Sequence, residues 1–311
     1  MPASASKSAR RQTRPRPRAS AIGRALQLLG DRWTLLILRD AFYARTRRYA
    51  AWRGALGISD SVLAARLKDL VEGGVLEQLR GEHGRREYRL TERGLELWVV
   101  LVAIWAWERR WVEGRVGVLP RLRHEDCNRL TEPVLVCASC GEPVTARYTS
   151  VRLGPSGRFE LAAPPRFRRR SSKQNEPTDP RLLFPETMAV LGDRWCAVLL
   201  GAAFLGRRRF VDFERDLGIS PTLLSERLAT LTRVGILSRR GTEYRLTDKG
   251  MGFFPIYALL VDWAERNLPD PSGPGLVITH RACGKRLRPT LACNRCERVL
   301  ERRRVRFVGT E

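Results

Sequence analysis

Acid is scarce beside base in this chain. Thirty-three Asp and Glu stand against 57 Lys and Arg in 311 residues, a formal net charge of +24. That excess is far beyond what solubility needs and makes a polyanion the expected partner. The basic residues run through the whole sequence, so nucleic acid is expected ahead of a membrane. Long apolar runs are missing too, and none approaches the ~20 residues of a spanning helix. Residues 1–20 lack the apolar stretch of a secretory signal; Lys7, Arg10, Arg11, Arg14, Arg16 and Arg18 lie there among Ser, Ala and Pro. A transit peptide has a similar composition, but Pro15 and Pro17 would break its amphipathic helix, so a disordered basic arm able to touch phosphates is expected instead.

Histidine is scarce and cysteine is confined. Two of the three His and six of the seven Cys fall into two short clusters, leaving Cys196 apart. A disulfide framework has no use for the His, so the pattern points to metal in a reducing compartment, and a cytoplasmic, nucleoid-associated protein is expected. Catalytic hardware is absent from the pattern: there is no Gly-rich phosphate loop between strand and helix, no nucleophile beside a His outside the clusters, and no isolated carboxylate pair. The chain is not expected to be an enzyme.

What is present is present twice. LGDRW at 29–33 returns at 191–195, LGIS at 56–59 returns at 217–220, and EYRLT at 87–91 returns at 243–247. From EYRLT onward the copies align without a gap, so His124, Cys127, Cys137 and Cys140 correspond to His280, Cys283, Cys293 and Cys296. The spacing H-x2-C-x9-C-x2-C thus occurs twice. Two short pairs on tight turns can wrap one tetrahedral ion, so each copy is expected to hold one zinc with its own four ligands. Such a site is closed to water, which makes a structural role the expected one. The strand-like segments Val144–Leu153 and Val299–Val308 are expected to complete a small ribbon within each copy. Modules this small need their ions to hold together, so chelation should unfold both ribbons and spare most helix.

Ahead of the clusters, apolar spacing predicts two helices (Ile22–Leu29 and Trp33–Asp40), then a third over Tyr49–Leu56 or Phe210–Leu217. It ends at Gly57 or Gly218, and Ser59 or Ser220 is the expected N-cap of the next helix, with Pro221 at the favoured first position in the second copy. Leu63, Leu67 and Leu70, or Leu224, Leu228 and Leu231, form its inward stripe. Polar residues on its outer face suit a major groove. A basic hairpin follows, then a closing helix from Thr91 or Thr247 to the tryptophans Trp105, Trp107 and Trp111, or Trp263. The Trp-rich region is expected to be core or dimer packing, and it is also where an effector pocket would form.

That order is a winged helix-turn-helix. The runs LLGDRWTLLILRDAF, LGISDSVLAARLKDLVEGGVLE and EYRLTERG, with GISPTLLSERLATLTRVGIL and EYRLTDKG in the second copy, resemble the HxlR-type winged helix regulators. The resemblance implies bacterial DNA-binding transcription factors, commonly homodimers, with the helix after the GIS turn in the major groove and the hairpin as wing. It also implies oxidant sensing through a cysteine before the first helix in some members; Ser20–Ile22 and Leu182–Phe184 contain none, so that mode is not expected, and Cys196 is expected to be a buried core residue.

The expected architecture is mainly α with small β-hairpin wings (α+β): a basic arm (1–20), winged-helix domain 1 (21–117), zinc module 1 (118–163), a linker (164–180), winged-helix domain 2 (181–270) and zinc module 2 (271–311). The expected DNA contacts are Ser59, Asp60, Ser61, Arg66, Arg85 and Arg86 in the first copy and Ser220, Thr222, Ser225, Arg227, Arg239 and Arg240 in the second. His83 is expected on the wing surface. The expected function is a sequence-specific transcriptional regulator of double-stranded DNA, a covalent pseudo-dimer with two structural zinc ions, no membrane partner and an effector that the sequence does not name. Association of two chains is left open. The alternatives are an architectural DNA-binding protein with little sequence preference, or a zinc-ribbon adaptor for another protein.

Overall fold

The computed structural model describes residues 19–81, 85–159 and 184–309. Nearly all of the expected arm, the 164–180 linker, Leu182 and His83 lie outside the described residues.

Each copy begins with two helices, α1 (Ala21–Leu29) and α2 (Arg32–Tyr43), or α7 (Pro185–Leu191) and α8 (Arg194–Phe204). The second of each pair starts where it does because an aspartate caps it. Asp31 accepts the backbone N–H of Trp33 and Thr34 at 3.0 and 3.2 Å, and Asp193 accepts those of Trp195 and Cys196 at 2.9 and 3.0 Å. Helices α3 (Tyr49–Leu56) and α9 (Phe210–Leu217) end in Gly57 and Gly218, both at φ 58°, a left-handed conformation that glycine adopts without steric cost. The recognition helices follow as α4 (Asp60–Glu72) and α10 (Pro221–Arg233), and the expected leucine stripes are their buried faces. Ser59 and Ser220 occupy the N-cap positions, yet neither hydroxyl makes a capping hydrogen bond.

The wings are antiparallel hairpins, β1 (Leu76–Arg80) with β2 (Arg86–Leu90), and β7 (Leu237–Arg240) with β8 (Glu243–Leu246). The loop before α3 or α9 makes a single β-bridge to the hairpin, where Tyr88 N–H donates to Arg47 O at 2.8 Å and Tyr244 N–H to Arg208 O at 2.7 Å. The expected closing helix is broken in both copies, into α5 (Glu92–Leu95) and α6 (Trp98–Trp111), and into α11 (Asp248–Gly252) and α12 (Phe254–Asn267). The short piece is pinned against the wing. A Cβ on Gly94 would lie 2.1 Å from Val75 O, and one on Gly250 would lie 2.2 Å from Ile236 O. Thr91 accepts from Gly94 N–H at 3.0 Å while its hydroxyl donates to Gly74 O at 2.7 Å.

The two copies share one hydrophobic core, a contiguous cluster running from Ala21 to Leu300. α6 packs on α12, and α1 packs on α12. Reciprocal hydrogen bonds tie them: Trp107 Nε1 donates to Lys249 O at 3.2 Å, and its counterpart Trp263 Nε1 donates to Arg93 O at 3.0 Å.

The ribbons correct the expectation of two separate modules. The first copy contributes β3 (Arg121–His124), β4 (Arg129–Thr131), β5 (Pro133–Cys137) and β6 (Thr149–Leu153); the second contributes β9 (Leu276–His280), β10 (Pro289–Cys293) and β11 (Val305–Val308). β11 pairs with β3, β6 with β9, and β5 with β10, all antiparallel. Each last strand therefore completes the ribbon of the opposite copy. Apolar side chains explain the exchange, because Phe307 of β11 packs edge-on against Tyr43 and Trp105 of the first copy, at 5.7 and 5.2 Å between ring centres.

Candidate metal centres and nucleic-acid interface

Strand exchange decides which cysteines meet. β3 ends at His124 and the turn after it carries Cys127, while β10 ends at Cys293 and its turn carries Cys296; these four form one cluster. Cys137 and Cys140, after β5, meet His280 and Cys283, after β9, in the other. In each cluster the ligand atoms all lie within 4.8 Å of one another. All eight candidate ligands come together, but the expected grouping of each H-x2-C-x9-C-x2-C run around its own ion is overturned. Each cluster takes its His pair from one copy and its Cys pair from the other.

The donor spacing has the dimensions of a tetrahedral site. Bonds of about 2.3 Å to sulfur and about 2.0–2.1 Å to nitrogen imply edges of roughly 3.8 Å between sulfurs and roughly 3.5 Å from sulfur to nitrogen. Cys127 Sγ lies 3.9 Å from Cys293 Sγ. His124 Nδ1 lies 3.5 Å from Cys127 Sγ and 3.4 Å from Cys296 Sγ, and His280 Nδ1 lies 3.4 Å from Cys140 Sγ and 3.6 Å from Cys283 Sγ. Both histidines are fully buried, and the far nitrogen of His124 sits 3.5 Å from Asp126 Oδ2, where the carboxylate can orient the ring.

Metal binding needs thiolates, and the turns favour them at some positions. Burial works against ionisation of Cys137, but hydrogen bonds from the Ser139 and Arg288 backbones bring its pKa down to about 6. Cys293 is also lowered against the effect of burial, helped by Thr131, whose hydroxyl donates to its Sγ at 3.2 Å. Cys127 is raised, first by burial, while Cys140 is raised by burial and its thiol neighbours against a backbone hydrogen bond from Glu142. Cys196 stands apart, fully buried in α8, with its thiol pushed up to about 12, mainly by burial.

The outer faces of α4 and α10 carry most of the expected DNA-facing residues. Asp60 and Ser61 are exposed on α4, as are Thr222 and Ser225 on α10, with Ser220 exposed and Ser59 half-buried at the N-caps. Arg85, Arg86, Arg239 and Arg240 are exposed on the wings. Asp60 is already engaged, accepting from Tyr49 Oη at 3.0 Å and pairing with Arg53 at 3.2 Å. Arg66 and Arg227 are turned away from the open face. Arg66 Nε lies 2.8 Å from Asp31 Oδ1, and Arg227 Nε lies 2.8 Å from Asp193 Oδ2. Their guanidinium groups are bound into the helix caps rather than offered outward.

Sequence reasoning missed four exposed arginines in the loop that bridges to each wing: Arg47 and Arg48, and Arg208 and Arg209. Their signal was available, since RTRRY at 45–49 and GRRRF at 206–210 recur at the same place in both copies.

With both helix-turn-helix units in place, comparison with known proteins identifies them. The family described as HxlR-like helix-turn-helix matches residues 28–115 and 190–272, more than half of the chain. This chain belongs to that family. The eight candidate metal ligands lie beyond both matched regions. An uncharacterized HTH-type transcriptional regulator of Mycobacterium tuberculosis is 39% identical over 145 residues, covering 46% of this chain and 91% of the relative. The uncharacterized HTH-type transcriptional regulator YtfH of Escherichia coli is 33% identical over 93 residues, covering 27% of this chain and 74% of the relative. No helix among the described residues is long and apolar enough to cross a membrane.

Proposed function

We propose that this HxlR-like chain is a sequence-specific transcriptional regulator of double-stranded DNA that acts as a covalent pseudo-dimer, with α4 and α10 reading two half-sites and the wings holding phosphates. The observation that carries this reading is the shared core: two helix-turn-helix units with exposed polar recognition faces are fixed to each other within one chain. Paired units of this kind suit a bipartite operator, with centres one or two turns of about 10.5 base pairs apart. The residues on the two helices differ, Asp60, Ser61 and Ala64 against Pro221, Thr222 and Ser225, so the half-sites should be unlike.

Zinc is the ion we assign to both clusters. One imidazole and three thiolates at tetrahedral spacing suit it, and four protein ligands leave no position for substrate, which supports a structural role. Because each ion would take ligands from both copies, zinc here would fasten the two halves together as well as fold each ribbon.

Selection from random duplex DNA by metal-loaded protein, at physiological salt where phosphate-only binding is weak, tests the reading. The expected result is an enriched bipartite motif with two unlike halves. Tight binding without a motif would instead support an architectural protein, and absence of binding would support an adaptor.

A further inference from the structure

The two copies differ in the space beside their second and last long helices. Between α2, α6 and β11 the first copy has an open-mouthed cavity of about 780 Å³, bordered by Trp98, Trp105 and Phe307. That volume suits a small organic ligand. The same place in the second copy, between α8, α12 and β6, holds about 40 Å³. Aligning the copies through their strand register and helix caps shows why. Leu101 on the first cavity's wall corresponds to Tyr257, whose ring fills the second; a Cβ on Gly201 would lie 2.5 Å from its hydroxyl oxygen.

The charge differs as sharply as the volume. Arg39, Arg45, Arg302 and Arg306 border the first cavity, and no Asp or Glu is among its lining residues. Their counterparts in the second copy are Gly201, Gly206, Ala146 and Ser150. Arg39 is buried and held at Nε and Nη2 by Asp40 Oδ1, at 2.9 and 2.6 Å, while its Nη1 has no hydrogen-bond partner. Arg45 holds a backbone φ of 51°, in the left-handed region, where the second copy uses glycine at φ 86°. A side chain kept in that conformation is strained where glycine is not, and such strain gathers at ligand sites.

We propose that this cavity is an effector site, one per chain, for a planar aromatic anion. Its ring would lie among Trp98, Trp105 and Phe307, and its acidic group would be held by the arginines. The second copy has filled most of the equivalent place with Tyr257 and keeps one arginine, Arg158, at its border where the first cavity has four. The site does not depend on the DNA-binding reading, because ligand binding is measured directly on the free protein.

The test is isothermal titration of the full metal-loaded chain with 2-naphthoate, 2-naphthyl phosphate, benzoate and indole-3-acetate, alongside neutral 2-naphthalenemethanol. At least one acid is expected to bind saturably near one per chain and at least tenfold more tightly than the alcohol; the naphthoate and naphthyl phosphate arms distinguish a carboxylate from a phosphate. Two substitutions copy the second half. Leu101→Tyr should abolish binding by filling the space. Arg302→Ala combined with Arg306→Ser, both near the surface and so tolerable to the fold, should weaken the acid at least tenfold and the alcohol little. No saturable binding by any of the acids, two equal sites per chain, or equal affinity for acid and alcohol would overturn the assignment, as would unchanged acid binding in the folded double variant.

Discussion

Asp31 and Asp193 lie opposite each other as antiparallel bridge partners where the two copies meet. Each caps a helix of its own copy and holds an arginine from its own recognition helix, Arg66 or Arg227. One contact therefore links the two caps, the two recognition helices and the junction between the copies. Asp31→Ala should cost about 1–2 kcal/mol in chemical denaturation, mostly the lost cap, because a partly exposed ion pair adds only ~0.5 kcal/mol. Arg66→Ala should cost less and leave the selected DNA motif unchanged. A loss of base preference in that variant would show that Arg66 leaves Asp31 to reach DNA.

The exchanged ligand sets can be read from metal content. Replacing Cys127 and Cys293 by Ser together removes two ligands of one cluster, so one bound ion per chain should remain. Replacing Cys127 and Cys137 removes one ligand from each, so both sites should weaken. Pairing by sequence neighbourhood would give the opposite pattern, and elemental analysis of the two purified variants decides between them.

Glu108 is buried against the start of α7, where it accepts the Thr187 N–H at 2.7 Å. Burial raises its pKa above 4.5, and the Thr187 hydrogen bond offsets only part of this. The folded state then holds the proton more tightly than the unfolded state. Its contribution is most favourable below the unfolded pKa and is lost as pH rises through the folded one. Glu108→Gln should raise the melting midpoint at pH 7 and reduce its fall between pH 5 and 7; a lower midpoint at pH 7 would mean that the ionised carboxylate is stabilising.

A thiol with a pKa near 12 inside a helix should be inert at neutral pH. Cys196 should resist an aromatic disulfide reagent in the native metal-loaded protein and react only after denaturation. Rapid modification of Cys196, located by peptide mapping, would reveal an opening of α8 absent from this structure.

Wing and helix substitutions should separate affinity from specificity. Arg239→Ala and Arg240→Ala should weaken all duplexes alike, each lowering the salt slope by about 1. Thr222→Ala with Ser225→Ala should instead alter preference in one half-site only. Altered preference in both halves would contradict independent reading by α4 and α10.

Much of this was legible because it is local. Gly57 and Gly218 mark their turns since a left-handed residue favours glycine whatever surrounds it, and the leucine stripes follow from helical period. Thr91 and Thr247 announce their caps. The breaks after Leu95 and Gly252 were not legible, because they depend on how closely Gly94 and Gly250 approach the carbonyls of Val75 and Ile236, just ahead of the wing strands. Arg66 and Arg227 look like surface arginines on a polar helix face until Asp31 and Asp193 are brought beside them.

The sequence by itself determined two helix-turn-helix units, their wings and eight candidate metal ligands, since period, turn chemistry and ligand spacing act within a few residues. It could not determine the partners of the ligand pairs. H-x2-C and C-x2-C each need only a turn, and the same two turns can close around an ion with a pair nearby or with one more than a hundred residues away. Only the tertiary structure decided between them, because β11 and β6 each gain a strand partner on the opposite copy, Phe307 of β11 gains an apolar seat there, and the candidate ligands at the strand ends travel with that exchange.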